Sequence, residues 1–235
     1  MIPRHDCVFN CNAEFYHSLW STSPGPDFAL GTAGGNVLIE MTSPTYGLAS
    51  SSYPSAASGW AAYYQEGGYE DVVPPLVVID DQVRIGQCWS LEGEQGHIAI
   101  RLAAPINVTH VAFHYPNYEE LRAQESRAAP QNVAIWALVE EEILEEQQKT
   151  TQLITRPGDY FMQPKRRFDR KLVRAKKFVQ ITSIFFNPQK GTRQLSETEA
   201  DARKLTTALV VTEVISNWGA PRTCLYRIAV HGKEM

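Results

Sequence analysis

From Asp27 onward the chain is a series of short apolar segments separated by glycine, proline and asparagine, and in several of them every second residue is apolar. Side chains of an extended strand point alternately to its two faces, so a period of two predicts strands with one buried face. His97-Ile-Ala-Ile-Arg-Leu102 places Ile98, Ile100 and Leu102 together, and Thr109–Tyr115 does the same for Val111, Phe113 and Tyr115. Cys224-Leu-Tyr-Arg-Ile-Ala-Val-His231 gathers Cys224, Tyr226, Ile228 and Val230 on one side, and Gly232 is expected to stop that strand. Runs at Asn132–Leu138, Phe178–Phe186 and Leu205–Ser216 are rich in β-branched and aromatic residues, as central strands are. The expectation is a mostly antiparallel β fold.

At 235 residues and 43% apolar, the chain can bury a substantial core in one domain or two small ones. Its longest apolar run, Val133–Val139, is far shorter than the roughly 20 residues of a membrane-spanning helix. Met1-Ile-Pro-Arg-His-Asp6 has no apolar stretch behind it that would read as a secretory signal. A net charge of −4, from 22 basic and 26 acidic residues, is too mild to require nucleic acid or acidic lipid as partner. The four cysteines Cys7, Cys11, Cys88 and Cys224 allow three full pairings, and counting does not choose among them.

Residues 1–26 read as an N-terminal extension with one short helix expected around Ala13–Ser18, and 27–235 as the folded domain. Gly47–Val73, rich in Ser, Gly, Ala, Tyr and Trp, is too long for a plain turn and reads as a functional loop. Residues 140–204 are rich in insertions. Five glutamates crowd Glu140–Glu146, and eight Lys or Arg fill Gln163–Lys177, where neutralisation by the acidic run or plain solvation is the ordinary reading and a polyanion site the sharper one. Asn187–Lys204 is polar and need not be ordered.

No nucleophile elbow, H-E-x-x-H, P-loop or G-x-G-x-x-G occurs, so catalysis has no motif behind it. Gly31-Thr-Ala-Gly-Gly35 precedes the apolar Val37-Leu-Ile39 instead of a helical pattern, which makes it a tight turn or bulge. His5, Cys7, Cys11 and His17 match no standard metal knuckle, and His110 and His114, four apart on one strand face, read as solvated or hydrogen-bonded histidines. No metal site is assigned. Asn107-Val-Thr109 has the form of a glycosylation acceptor.

Five pieces in sequence resemble the SUN domain, most closely its fungal members. They are Asp27-Phe-Ala-Leu-Gly-Thr-Ala-Gly-Gly-Asn-Val37, Thr42-Ser-Pro-Thr-Tyr46, Gly86-Gln-Cys-Trp89, Gly93–Leu102, and Asn217-Trp-Gly219 followed by Thr223–Gly232. The resemblance implies a jelly-roll-like β-sandwich in the perinuclear space of the nuclear envelope, forming a homotrimer that grips C-terminal peptides of KASH proteins and so links nucleus to cytoskeleton in the LINC complex. That is adaptor work and not catalysis. Membrane attachment would come only through a helix and coiled coil that are not among these residues. The resemblance further implies a disulfide between Cys88 and Cys224 that fastens a short loop, Val77–Gln87. That loop would hold a monovalent or calcium cation near Val77, Asp80, Gln82 and Gln87; no other cofactor is expected.

Tyr226 matches a tyrosine beside the end of the KASH peptide, and Gly47–Val73 covers a lid that pairs with the peptide by strand addition, with Trp60, Tyr63 and Tyr64 as apolar contacts. Tyr115 stands where the family has a peptide-contacting histidine, with His114 beside it; Arg222 stands near a usual aromatic and can pair with a terminal carboxylate. Thr42 replaces a cysteine that links covalently to the peptide in many animal members, so binding here is expected to be non-covalent. The alternative reading is a carbohydrate-binding β-sandwich of lectin type, with Trp60, Tyr63 and Tyr64 stacking on sugars.

Overall fold

The computed structural model describes residues 24–47, 72–148, 153–163 and 170–234. Among the described residues ten strands run in the order β1 (Asn36–Val37), β2 (Trp89–Glu92), β3 (Gly96–His114), β4 (Pro130–Glu140), β5 (Thr155–Pro157), β6 (Lys176–Phe185), β7 (Arg193–Glu197), β8 (Thr206–Asn217), β9 (Arg222–Leu225) and β10 (Arg227–Glu234). Two short helices, α1 (Ala123–Arg127) and α2 (Glu141–Gln148), join them, and all strand pairs are antiparallel.

Strand β3 organises the molecule. Its first half pairs with β1 and β8, continuing through β4 and β6 to β5, while its second half pairs with β10 and β7. Its ladder to β8 slips between Arg101 and Ile106, across Ala103-Ala104-Pro105, where the proline has no amide to donate. The two expected segments His97–Leu102 and Thr109–Tyr115 are therefore one bent strand serving two layers. Between the layers, Ile98, Ile100, Val133, Ile135, Val179 and Val210 meet Val111, Phe113, Ile228 and Val230 in one core. Each such aliphatic side chain removed from water contributes about 1.5–3 kcal/mol before entropy is counted. The fold is a mostly β, antiparallel β-sandwich.

A second core covers the outer face of β4, β6 and β8. Trp136 and Phe178 pack there beneath Phe161, and the Trp136 indole N–H donates to Glu213 at 2.8 Å. The acidic and basic runs meet as the Lys176–Glu140 and Lys177–Glu141 pairs, at 2.8 and 2.6 Å, which bears out neutralisation for those residues.

Other expectations are corrected. Cys224–His231 is broken at Tyr226 into β9 and β10, which belong to different sheets. Gly232 does not end β10: a bulge falls between His231 and Gly232, where a Cβ would lie 2.5 Å from the Asn107 carbonyl oxygen, and the strand continues to Glu234. Within the polar stretch Asn187–Lys204, Arg193–Glu197 forms edge strand β7. Its backbone bonds to β3, and Gln194 and Ser196 contact Asn187 and Thr182. Apolar periodicity is a poor guide to such a strand because it buries hydrogen bonds more than hydrocarbon. Asn107 has its carboxamide engaged by Arg203 and Thr206.

Asp27 locks onto β10. Its Oδ1 accepts from the amides of Ala29 and Val230 at 3.0 Å each, and its Oδ2 pairs with Arg227 at 2.8 Å. Side-chain exposures of 9% for Asp27 and 16% for Arg227 keep the pair largely out of water. Removing one partner of such a pair leaves a charge with neither water nor counterion, and costs about 3–5 kcal/mol. Asp27→Ala is expected to lose about 3 kcal/mol of unfolding free energy in urea denaturation; a loss under about 1 kcal/mol would show that the latch is ornamental.

Candidate functional site

Strands β2 and β9 form a small two-stranded sheet of their own, with Ser90 opposite Cys224. Cys88, just before β2, is joined to Cys224 by a disulfide, with Cα atoms 5.5 Å apart and a sequence separation of 136. In the chain-entropy picture a cross-link closing so long a loop restricts the unfolded chain by about 4–5 kcal/mol. Next to Cys224 the turn from β8 into β9 is held by one buried side chain. Asn217 donates to the carbonyls of Ala220 (2.9 Å) and Arg222 (3.1 Å) and accepts from the amides of Gly219 (2.8 Å) and Ala220 (3.1 Å). Gly219 has φ 89°, a conformation that glycine adopts without strain.

A cavity of about 440 Å³ opens between this sheet, α1 and the loop before Cys88. Cys88, Cys224 and Tyr226 line it on one side, with Gln124, Glu125 and Arg127 of α1 facing them. Arg222 stands at its rim, its guanidinium 5.3 Å from the Tyr46 ring centre. Tyr46 and Val73 also line it, so the chain leaves towards residue 48 and returns from residue 71 at this cavity's edge. Trp60, Tyr63 and Tyr64 lie outside the described residues.

Tyr226 is poised as a donor. Its hydroxyl accepts the Gly86 amide at 3.2 Å, leaving its own proton to offer, and burial raises its pKa above that of free tyrosine. Tyr115 lies beneath it, edge-on at 4.7 Å between ring centres, and donates its hydroxyl to the Cys224 carbonyl. At 2% exposure Tyr115 supports the floor and does not line the cavity. Arg127 and Arg222 are in no ion pair among the described residues, whereas the Glu125 carboxylate accepts the Arg122 amide at 2.8 Å. The arrangement can receive an extended polar chain bearing a negative charge.

His114 goes elsewhere. It lies opposite Arg227 on one side and Arg193 on the other, on the face of β3 away from Tyr115, and does not line the cavity. Burial, then the positive charges of Arg227 and Arg193, lower its pKa to about 4; Asp27 opposes this and His231 adds to it. A folded-state value below the unfolded one of about 6.5 means that neutral His114 favours folding above that pH, and that this contribution is lost as pH falls towards 4. His114→Gln is expected to flatten the fall in stability between pH 6.5 and 4, measured by urea denaturation; a curve parallel to that of the wild type would contradict this.

In the loop before Cys88, several polar groups are engaged within the loop itself. The Gln82 side-chain oxygen Oε1 accepts two N–H groups of Arg84, at 2.7 and 3.1 Å, which places a positive charge beside it. Asp80 accepts the Asp81 amide, the Val77 carbonyl accepts the Asp80 amide, and the Gln87 amide donates to the Arg84 carbonyl. Among the described residues no group of three or more His, Cys, Asp or Glu is placed to hold a metal. Sequence reasoning missed α1 altogether; one alanine and four polar residues carry no apolar pattern, and only the tertiary position of Gln124, Glu125 and Arg127 makes them part of the site.

Comparison with known proteins agrees with this geometry. A family model described as Sad1 / UNC-like C-terminal matches residues 69–161. Rat sperm-associated antigen 4 protein is 26% identical over 208 residues, covering 88% of this chain and 38% of that protein. Mouse SUN domain-containing protein 3 is 26% identical over 211 residues, covering 88% and 52%. The Caenorhabditis elegans nuclear migration and anchoring protein unc-84 is 27% identical over 214 residues, covering 88% and 15%. The chain is thus similar to Sad1/UNC-like, or SUN, proteins over most of its length. It spans about two-fifths of the rat protein. Among solved structures, a family 32 carbohydrate-binding module from Streptococcus pneumoniae EndoD superposes with a TM-score of 0.48 at 9% identity, covering 88% of this chain and all of the module.

Proposed function

We propose that this domain binds the C-terminal peptide of a KASH-type protein, without a covalent link, as an adaptor in the perinuclear space of the nuclear envelope. The observation that carries the reading is the cavity between the disulfide-tied sheet and α1, lined by Tyr226 and by Arg127 and Arg222, which are in no ion pair among the described residues. A peptide tail ends in a carboxylate, and a planar guanidinium or a phenol is its natural donor. Non-covalent binding is supported by Thr42, which is fully buried and donates to the Leu38 carbonyl at 2.8 Å, so neither its chemistry nor its position suits a disulfide to a ligand. In this reading Gly47–Val73 is the lid whose edge adds to the peptide, with Trp60, Tyr63 and Tyr64 as contacts, and three copies assemble in the full-length protein. Val77, Asp80, Gln82 and Gln87 belong to the loop that the disulfide fastens, which in this reading is the candidate cation loop.

A synthetic KASH-type tail with a free C-terminus is expected to bind in fluorescence anisotropy, and the same tail amidated at its C-terminus about tenfold or more weakly, because charge-assisted bonds to the carboxylate contribute about 1.5–3 kcal/mol. Arg222→Ala is expected to reduce the difference between the two tails. Equal binding of both, or no binding of either, would count against the reading.

A further inference from the structure

A second cavity, of about 220 Å³, lies on the far side of Arg127 from the cleft and belongs to nothing described above. Two aromatic residues frame it. Trp218 is half-buried and fixed: its amide donates to the Arg127 carbonyl at 3.1 Å and its indole N–H to the Phe186 carbonyl at 3.2 Å. Tyr118 stands at the rim, 38% exposed, and its hydroxyl is free of bonds among the described residues. The opposite wall is equally rigid. Gln194 clamps Asn187 by accepting its amide at 3.1 Å and donating to its carbonyl at 2.6 Å, and the Asn187 side chain in turn accepts the Gln189 amide at 2.9 Å. Phe185, 55% exposed, stacks edge-on against Trp218 at 5.6 Å and extends the aromatic surface outward.

Five of the seven side chains around the cavity end in polar atoms: Tyr118, Ser126, Arg127, Asn187 and Gln189. A purely aliphatic occupant would take water from these groups and return no hydrogen bonds, which is unfavourable. A phosphate would find one cation, Arg127, among the lining residues, with the carboxylates of Glu119 and Glu120 next to Tyr118 in sequence. What satisfies both features is a ring with an apolar C–H face for the aromatic groups and donors and acceptors around its edge. The geometry points to a binding site for a single pyranose unit at the end of a glycan. It uses none of Trp60, Tyr63 and Tyr64, and of its lining residues it shares only Arg127 with the peptide cleft.

The experiment is a glycan array probed with the full chain, followed by NMR titration with the methyl pyranoside of the best-bound sugar, reading the Trp218 indole N–H. Tyr118→Ala and Gln189→Ala are the variants, since both residues line this cavity and neither lines the peptide cleft; Trp218 holds two backbone bonds and is left intact. The site predicts saturable binding, a shift of the Trp218 resonance, and at least about tenfold weaker binding in each variant, with KASH-type tail binding unchanged. No glycan above background, sugar binding unaltered by both variants, or a Trp218 shift produced by proline-rich peptide in place of any sugar would overturn it.

Discussion

The bond between Cys88 and Cys224 is the constraint on which the rest of the site depends. It joins residues that the chain separates by nearly three-fifths of its length. Around it the molecule brings together two distant stretches, the loop that runs through Cys88 into β2 and the strand β9 that ends just before Tyr226. With the loop held to β9, the Gly86 amide reaches the Tyr226 hydroxyl, and that contact leaves the phenolic proton facing the cavity. Tyr115 buttresses the same point from below through the Cys224 carbonyl. The site is an assembly of contacts between distant segments, fixed by one covalent link.

The sandwich supplies the platform. A single bent strand, β3, takes part in both layers, so the position of β10 and hence of Tyr226 is tied to the large sheet through continuous backbone. The Asp27–Arg227 latch holds the start of β10. Just before it β9 and β10 diverge at Tyr226, and the divergence allows one residue to leave the sheet and line a cavity.

Much of this was legible beforehand where burial follows a simple period. Ile98, Ile100, Val111, Phe113, Ile228 and Val230 all lie in the core that alternation assigned to them. β4, β6 and β8 fall on the three long apolar runs. The pairing of Cys88 with Cys224 came from resemblance, since counting left three arrangements open, and the geometry shows it. Where sequence reasoning went astray, hydrogen bonds outweighed hydrocarbon. Polar β7 is held by its ladder and by Gln194, the bulge at Gly232 carries β10 past an expected stop, and α1 enters the site through tertiary placement alone. His114 and Tyr115 are adjacent in sequence, yet the pleat sends them to opposite faces; neither lines the cavity.

The central claim is that a foreign tail occupies the cavity beside the disulfide. Backbone amide exchange, followed by mass spectrometry with and without a saturating KASH-type tail, tests it most directly. The account predicts slowed exchange in residues 84–92, in α1 and in residues 219–226. Protection confined to the outer face of β10, β3 and β7, or no protection at all by a tail that demonstrably binds, would contradict it.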